Sequence, residues 1–233
     1  MLIDPREYIS YMCPACGNYF YRSNVRSYNT FGATVFSDGY TTGCHNPYWL
    51  TRCPKCKSFF AKEHLFEMLE SVCTLPMDPH LSYWTKKRLE NNELFGHLDG
   101  YFSEEETKAD FIKKAIAQGQ YFPVTVLEHK KSEHKLLLHC DLWHEYNMHR
   151  DKVSDEIYDE LCRSIINMIE NKQYTVYTDK LALAELYRNI GEFEKCLNLL
   201  DTFKRPNAAD KTIDCIRAEA EKNNRLTAIV SES

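Results

Sequence analysis

Cys13-Pro14-Ala15-Cys16 and Cys53-Pro54-Lys55-Cys56 are two copies of one pattern, and their reading decides the fold. A gap of two residues lets both thiolates of a pair bend from one tight turn onto a single ion. Two such turns complete a tetrahedral shell of four sulfurs at roughly 2.3 Å. Each pair precedes a strand-like aromatic run, Tyr19-Phe20-Tyr21 after the first and Phe59-Phe60 after the second. Cys13, Cys16, Cys53 and Cys56 are therefore the candidate metal ligands, and one structural Zn2+ is the expected cofactor. Iron accepts the same ligands and is the rival ion. A redox Cys-x-x-Cys occurs once, between a strand and a helix of a βαβ pattern; here the pair is repeated among glycines and aromatics. Catalytic zinc keeps an open coordination position, which four thiolates close.

Each proline stiffens its turn, and Gly17 after the first pair permits a backbone that aims amides at a sulfur. Lys57 stands at the equivalent place in the second turn, a departure from that glycine preference. With these features the two pairs resemble a zinc ribbon built on knuckles of the rubredoxin type. The 36 residues between the pairs exceed what a minimal ribbon requires, so the resemblance implies a decorated version. Cys44 and His45 lie in that loop without pair spacing. Residues 29–39 and 49–60, Asn-Thr-Phe-Gly-Ala-Thr-Val-Phe-Ser-Asp-Gly and Trp-Leu-Thr-Arg-Cys-Pro-Lys-Cys-Lys-Ser-Phe-Phe, resemble a group of uncharacterised bacterial proteins. Those proteins join such a cysteine module to a helical C-terminal region. The likeness implies a bacterial cytosolic origin and no particular activity.

At 233 residues, 43% hydrophobic and 27% charged, the chain has room for one large domain or two small ones. No run reaches the roughly 18 apolar residues of a membrane span. The opening Met-Leu-Ile-Asp-Pro-Arg-Glu-Tyr puts acids and proline where a secretory signal needs basic and then apolar residues. A cytoplasmic location with no membrane partner is expected. The six cysteines outside the pairs are scattered, and in a reducing compartment they read as small core residues. Residues 1–60 carry six Lys/Arg and three acids, +3 against a whole-chain charge of −5. Zinc and four thiolates would lower that +3 to +1, a tint too faint for nucleic acid. Thirteen of the 30 aromatics fall in residues 1–60. Some ribbons stack bases on such rings, but a small module also needs large rings for its core.

The fold class expected is α+β: a β-rich ribbon module with a trailing helix over 1–72, then a mainly α-helical domain over 80–233. Turn residues punctuate the first 60 positions. A helix is expected over 61–72, and the two prolines of Thr74-Leu-Pro-Met-Asp-Pro-His80 mark the boundary. Ser103-Glu-Glu-Glu106 forms a capping-box pattern opening a helix with Phe111, Ile112, Ala115 and Ile116 inward, closed by Gly119. A long helix over 126–149 carries Leu136, Leu137, Cys140, Trp143 and Met148. Ser154 caps a helix bearing Ile157, Leu161, Cys162, Ile165, Ile166 and Ile169. Three more follow over 177–190, 193–203 and 208–222, and the tail 223–233 is expected to be mobile.

Within 183–203, Ala184, Tyr187, Gly191, Phe193, Cys196, Leu200 and Phe203 resemble the signature of one tetratricopeptide repeat. Small residues at 184 and 196 permit close helix approach, and Gly191 suits a left-handed turn. Ala218 stands 34 positions after Ala184 and is the expected start of a truncated next unit. No second full copy is visible, which implies a short stack rather than a long solenoid. In the family, the inward groove is lined by residues of the first helix that do not pack on its partner. The resemblance carries that role onto Leu181, Glu185 and Arg188, the candidate partner-binding residues, beside the bland reading of a solvated face.

Other signals disperse on inspection. His129, His134, His139, His144 and His149 recur every five residues, a step of about 140° net around a helix, so they do not line up. His144-Glu145 lacks the second histidine of a zinc-protease motif, because Met148 stands there. His149-Arg150-Asp151 has Glu156 where a kinase loop has Asn, and there is no Walker sequence. No catalytic residue is named. The leading expectation is a zinc-binding adaptor with protein or peptide partners, by analogy of fold. The alternatives are a nucleic-acid-binding regulator and an enzyme with an unrecognised site.

Overall fold

In a computed structural model the described residues are 3–13, 15–17, 19–25, 33–41, 50–53, 55–61, 107–119, 128–171, 177–203 and 210–232. They form two compact units, one from Met1–Tyr28 and His45–Lys135, the other from Asn29–Cys44 and Leu136–Ser233. The units are thus interleaved in sequence: the middle of the inter-knuckle loop belongs with the C-terminal helices. Ala61, the expected start of a helix over 61–72, ends a strand instead; residues 62–72 and the boundary at 74–80 lie outside the described residues.

The first unit holds two antiparallel hairpins. Strands β1 (Ile3–Met12) and β2 (Tyr19–Val25) pair with Met12 opposite Tyr19, and β4 (Leu50–Arg52) pairs with β5 (Phe59–Ala61). A cysteine pair therefore sits at the turn of each. Helix α1 (Lys108–Gln118) begins one turn later than the Ser103 pattern implied. The capping box is Thr107 with Asp110: the Asp110 amide donates to Thr107 Oγ1 at 3.1 Å, and Asp110 Oδ2 accepts from the Thr107 amide at 3.4 Å. Gly119 ends the helix at φ +70°, and Phe111, Ile112 and Ala115 are its buried side.

The second unit holds most of α2 (Glu128–Met148), then α3 (Asp155–Glu170), α4 (Tyr177–Asn189), α5 (Phe193–Asp201) and α6 (Asp210–Glu221). The buried stripe of α2 is Leu136, Leu138, Leu142, Trp143 and Tyr146, whereas Leu137 and Met148 are exposed, contrary to expectation. Ser154 caps α3 as its sequence implied, with Oγ accepting from the Ile157 amide. Cys162, Ile165, Ile166 and Ile169 are buried, and Ile157 is exposed.

Helices α4 and α5 form a hairpin closed by Gly191 at φ +81°. The Glu192 amide donates to Tyr187 O at 2.8 Å and the Gly191 amide to Arg188 O at 3.0 Å. This is the paired bonding of a Schellman end, which satisfies carbonyls the helix leaves open. Ala184, Cys196, Leu200, Ile213, Ile216 and Ala220 make one core, flanked by Leu181, Tyr187, Phe193 and Phe203. In α6 the small core residue is Ala220; Ala218, expected to take that place, faces outward.

The C-terminal tail is ordered against the helices rather than free. Residues Ile229–Glu232 form β6, antiparallel to β3 (Thr34–Phe36), with Thr34 opposite Glu232 and Val35 opposite Ser231. Arg225 Nε donates to Asn189 O at 2.7 Å, and Asn189 Nδ2 to Arg225 O at 2.8 Å. That exchange satisfies the end of α4 and pins the start of the tail. Among the described residues no helix is long and apolar enough to cross a membrane.

Candidate metal centre

The hairpin β1–β2 carries Cys13 and Cys16 at its turn, and β4–β5 carries Cys53 and Cys56. Both turns share a closing backbone bond, Gly17 N to Cys13 O at 2.8 Å and Lys57 N to Cys53 O at 3.0 Å, and the second adds Cys53 N to Ser58 O at 2.9 Å. The amides of Ala15 and Cys16 are thereby aimed at the Cys13 sulfur, and those of Lys55 and Cys56 at the Cys53 sulfur. Gly17 takes φ +69° and Lys57 φ +61°, so the two turns share a left-handed residue although only one uses glycine. Relieving that strain outweighs glycine's extra unfolded-state freedom. Lys57→Gly should therefore stabilise the metal-bound protein by about 0.5–1 kcal/mol, read from a shift in urea midpoint.

All four Sγ atoms lie within 4.8 Å of one another. Cys13 and Cys56 are 3.6 Å apart, and Cys16 and Cys53 are 3.8 Å apart. A tetrahedron with metal–sulfur bonds of roughly 2.3 Å has edges of about 3.8 Å. The sulfurs thus fit one tetrahedral ion. Cys13 and Cys53 are fully buried, while Cys16 and Cys56 face outward.

Electrostatics sets Cys56 apart from the buried pair. Burial pushes the Cys13 thiol up to about 12 and raises that of Cys53, because a lone thiolate there would be poorly solvated. For Cys56 burial acts upward too, but the hydroxyl and amide of Ser58 with the neighbouring thiols outweigh it and bring the group to about 6. Its Sγ lies 3.3 Å from the Ser58 hydroxyl. A metal cation bound here would supply the counter-charge that the inner pair lacks, so ion binding and deprotonation would go together.

The second knuckle is braced by α1. Phe59 and Phe111, both buried, meet edge to face with ring centroids 5.0 Å apart. The Arg52 guanidinium lies 5.7 Å from the Phe59 centroid and 5.0 Å from that of Phe111. An aromatic pair and a cation over both rings hold β4–β5 in place.

The residues expected to bind a partner have another role. Glu185 and Arg188 are each 0% exposed, and Leu181 packs against the α4–α5–α6 core. Arg188 Nε donates to Glu185 Oε2 at 2.8 Å, and its Nη2 reaches Oε1. Nη1 donates to the carbonyl oxygens of Leu226, at 2.8 Å, and Asn224. The Ser37 hydroxyl donates to Glu185 Oε1 at 2.6 Å and accepts from the Ala228 amide at 2.9 Å. The expectation of an open groove on this face is therefore corrected: the chain's own segments 37–38 and 224–228 fill it.

Next to this clasp, Asp38 Oδ2 accepts from Asn147 Nδ2 at 2.7 Å and lies 3.1 Å from His144 Nδ1. Burial works against the Asp38 carboxylate, but these partners and the Tyr40 amide hold it below the ordinary range. His144 in turn stacks on Trp143, whose Nε1 lies 3.1 Å from Asn189 Oδ1 and 3.2 Å from the Tyr158 hydroxyl. Of the five regularly spaced histidines, His144 meets segment 33–41, which periodicity alone did not single out. Asp38-Gly39 reads as a turn in sequence, and nothing local marks the distant partners of Ser37 and Asp38.

Comparison with protein-family models, with curated proteins and with solved structures finds no match.

Proposed function

We propose that the chain is a zinc-stapled binding protein, a ribbon-like metal module joined to a tetratricopeptide-like helical scaffold for protein or peptide contacts. The observation that carries the metal half is the tetrahedral spacing of Cys13, Cys16, Cys53 and Cys56, with sulfurs 3.6 and 3.8 Å apart across the two turns. Zinc is the ion proposed; the four-thiolate shell accepts zinc or iron, and metal analysis of the purified protein distinguishes them. The ion would neutralise the buried thiolates and tie the two hairpins together. The scaffold half is supported by the α4–α5 hairpin with its small-residue core at Ala184 and Cys196. Because Glu185 and Arg188 are already engaged, partner contacts fall outside that inward face.

X-ray absorption at the metal edge of the purified protein tests the closed shell. Four sulfurs at about 2.3 Å are expected. Three sulfurs and a light scatterer would mean an open position and would turn the reading toward catalysis. For the scaffold half, affinity for DNA or RNA at physiological salt should be no better than about 10⁻⁴ to 10⁻⁶ M. Nanomolar binding that falls steeply with salt would replace the adaptor reading with a nucleic-acid one.

A further inference from the structure

The two cysteine turns bracket a segment that belongs to the other compact unit. Cys16 and Cys53 are 37 positions apart, and between them lies Asn29–Cys44, grouped with the C-terminal helices. Residues 33–41 are held there by several separate bonds. Strand β3 pairs with β6. The Ser37 amide donates to Ala228 O at 2.8 Å, Ser37 Oγ joins the Glu185–Arg188 pair, and Asp38 meets His144 and Asn147. The segment and the tail hold each other, since β6 has β3 as its partner strand and Arg188 ties the Asn224 and Leu226 carbonyls.

An ion joining the four sulfurs would close the span between the knuckles into a ring whose centre is the docked segment. The centre of a ring explores less space than that of the same chain left open. Less entropy is then lost when it docks. We infer that filling the four-cysteine site and seating residues 33–41 on the helical unit are linked, so that metal loss loosens β3, the Ser37–Asp38 clasp and the C-terminal strand β6. This rests on the metal reading proposed above. The linkage is reciprocal: whatever loosens the clasp weakens metal retention by the same factor.

Hydrogen exchange on the full chain, zinc-loaded and after chelation, reads this directly. Chelation should speed exchange of the Phe36, Ser37 and Ala228 amides by about two- to threefold, the change that loop-closure statistics give for a doubling of effective chain length. The Ile165 and Ile166 amides within α3 should be unchanged. Reciprocally, Asp38→Ala should weaken zinc retention against a chelator by a similar factor while its α3 amides keep their protection. Metal that is stripped with no change at residues 36, 37 and 228 would refute the linkage and leave the metal reading standing. Acceleration that also includes α3 would refute it as well, as general unfolding. A chain that takes up no zinc would overturn the metal reading and the linkage with it.

Discussion

Arg188→Ala is expected to destabilise the protein by about 3–5 kcal/mol, because it strands a buried carboxylate. Glu185 is 0% exposed and takes two bonds from this guanidinium. The carbonyls of Asn224 and Leu226 lose their donor in the same stroke. Urea unfolding of the full chain measures the loss. The double change Glu185→Leu with Arg188→Met should recover a good part of it, since apolar residues of similar volume often replace a buried ion pair at little cost. A variant Arg188→Ala within about 0.5 kcal/mol of the parent, the scatter of ordinary surface changes, would return the residue to an exposed face.

Removal of the metal should have the larger effect, confined to fewer residues. Structural zinc in small folds contributes roughly 10–16 kcal/mol of apparent binding free energy near neutral pH, and without a preformed site that energy is folding energy. Chelation is expected to melt the two knuckles and the β4–β5 hairpin and leave the far-ultraviolet helical signal mostly intact. Helices α3 to α6 have their own core around Ile165, Ala184, Cys196 and Ile216. The pH dependence has a definite sign. Burial raises the Cys13 and Cys53 thiols, so both must release protons to bind. Zinc affinity should therefore rise with pH and fall on acidification, with proton release seen in weakly buffered titrations. Loss of the entire helical signal on chelation would mean that the two units fold as one.

The metal pairs are legible in the sequence because their chemistry is local: two residues of spacing set each knuckle, and the sulfurs meet as expected. The helices are legible for a related reason, since Ser154, Gly119 and Gly191 act within one turn of themselves. Where two local signals compete, pattern is not enough. Ser103-Glu-Glu-Glu106 reads as the capping box, whereas Thr107 with Asp110 forms it. The sheet of β3 and β6 leaves no such trace, because three or four residues pair across some 190 positions, a separation seen in the Ser37–Ala228 bond. That is why the tail reads as free in sequence and is bound in the fold. Glu185 and Arg188 show the same limit. An acid and an arginine three apart on a helix suit a solvated face equally well, and only the distant Ser37, Asn224 and Leu226 turn that spacing into a buried clasp.

Metal content of the purified full chain, set beside that of Cys53→Ser, tests the central claim most directly. The account predicts one zinc per chain in the parent and a loss of most of it in the variant, since Cys53 is one of the two buried ligands. A parent chain without tightly bound metal, or a variant that retains the parent's full complement, would contradict it.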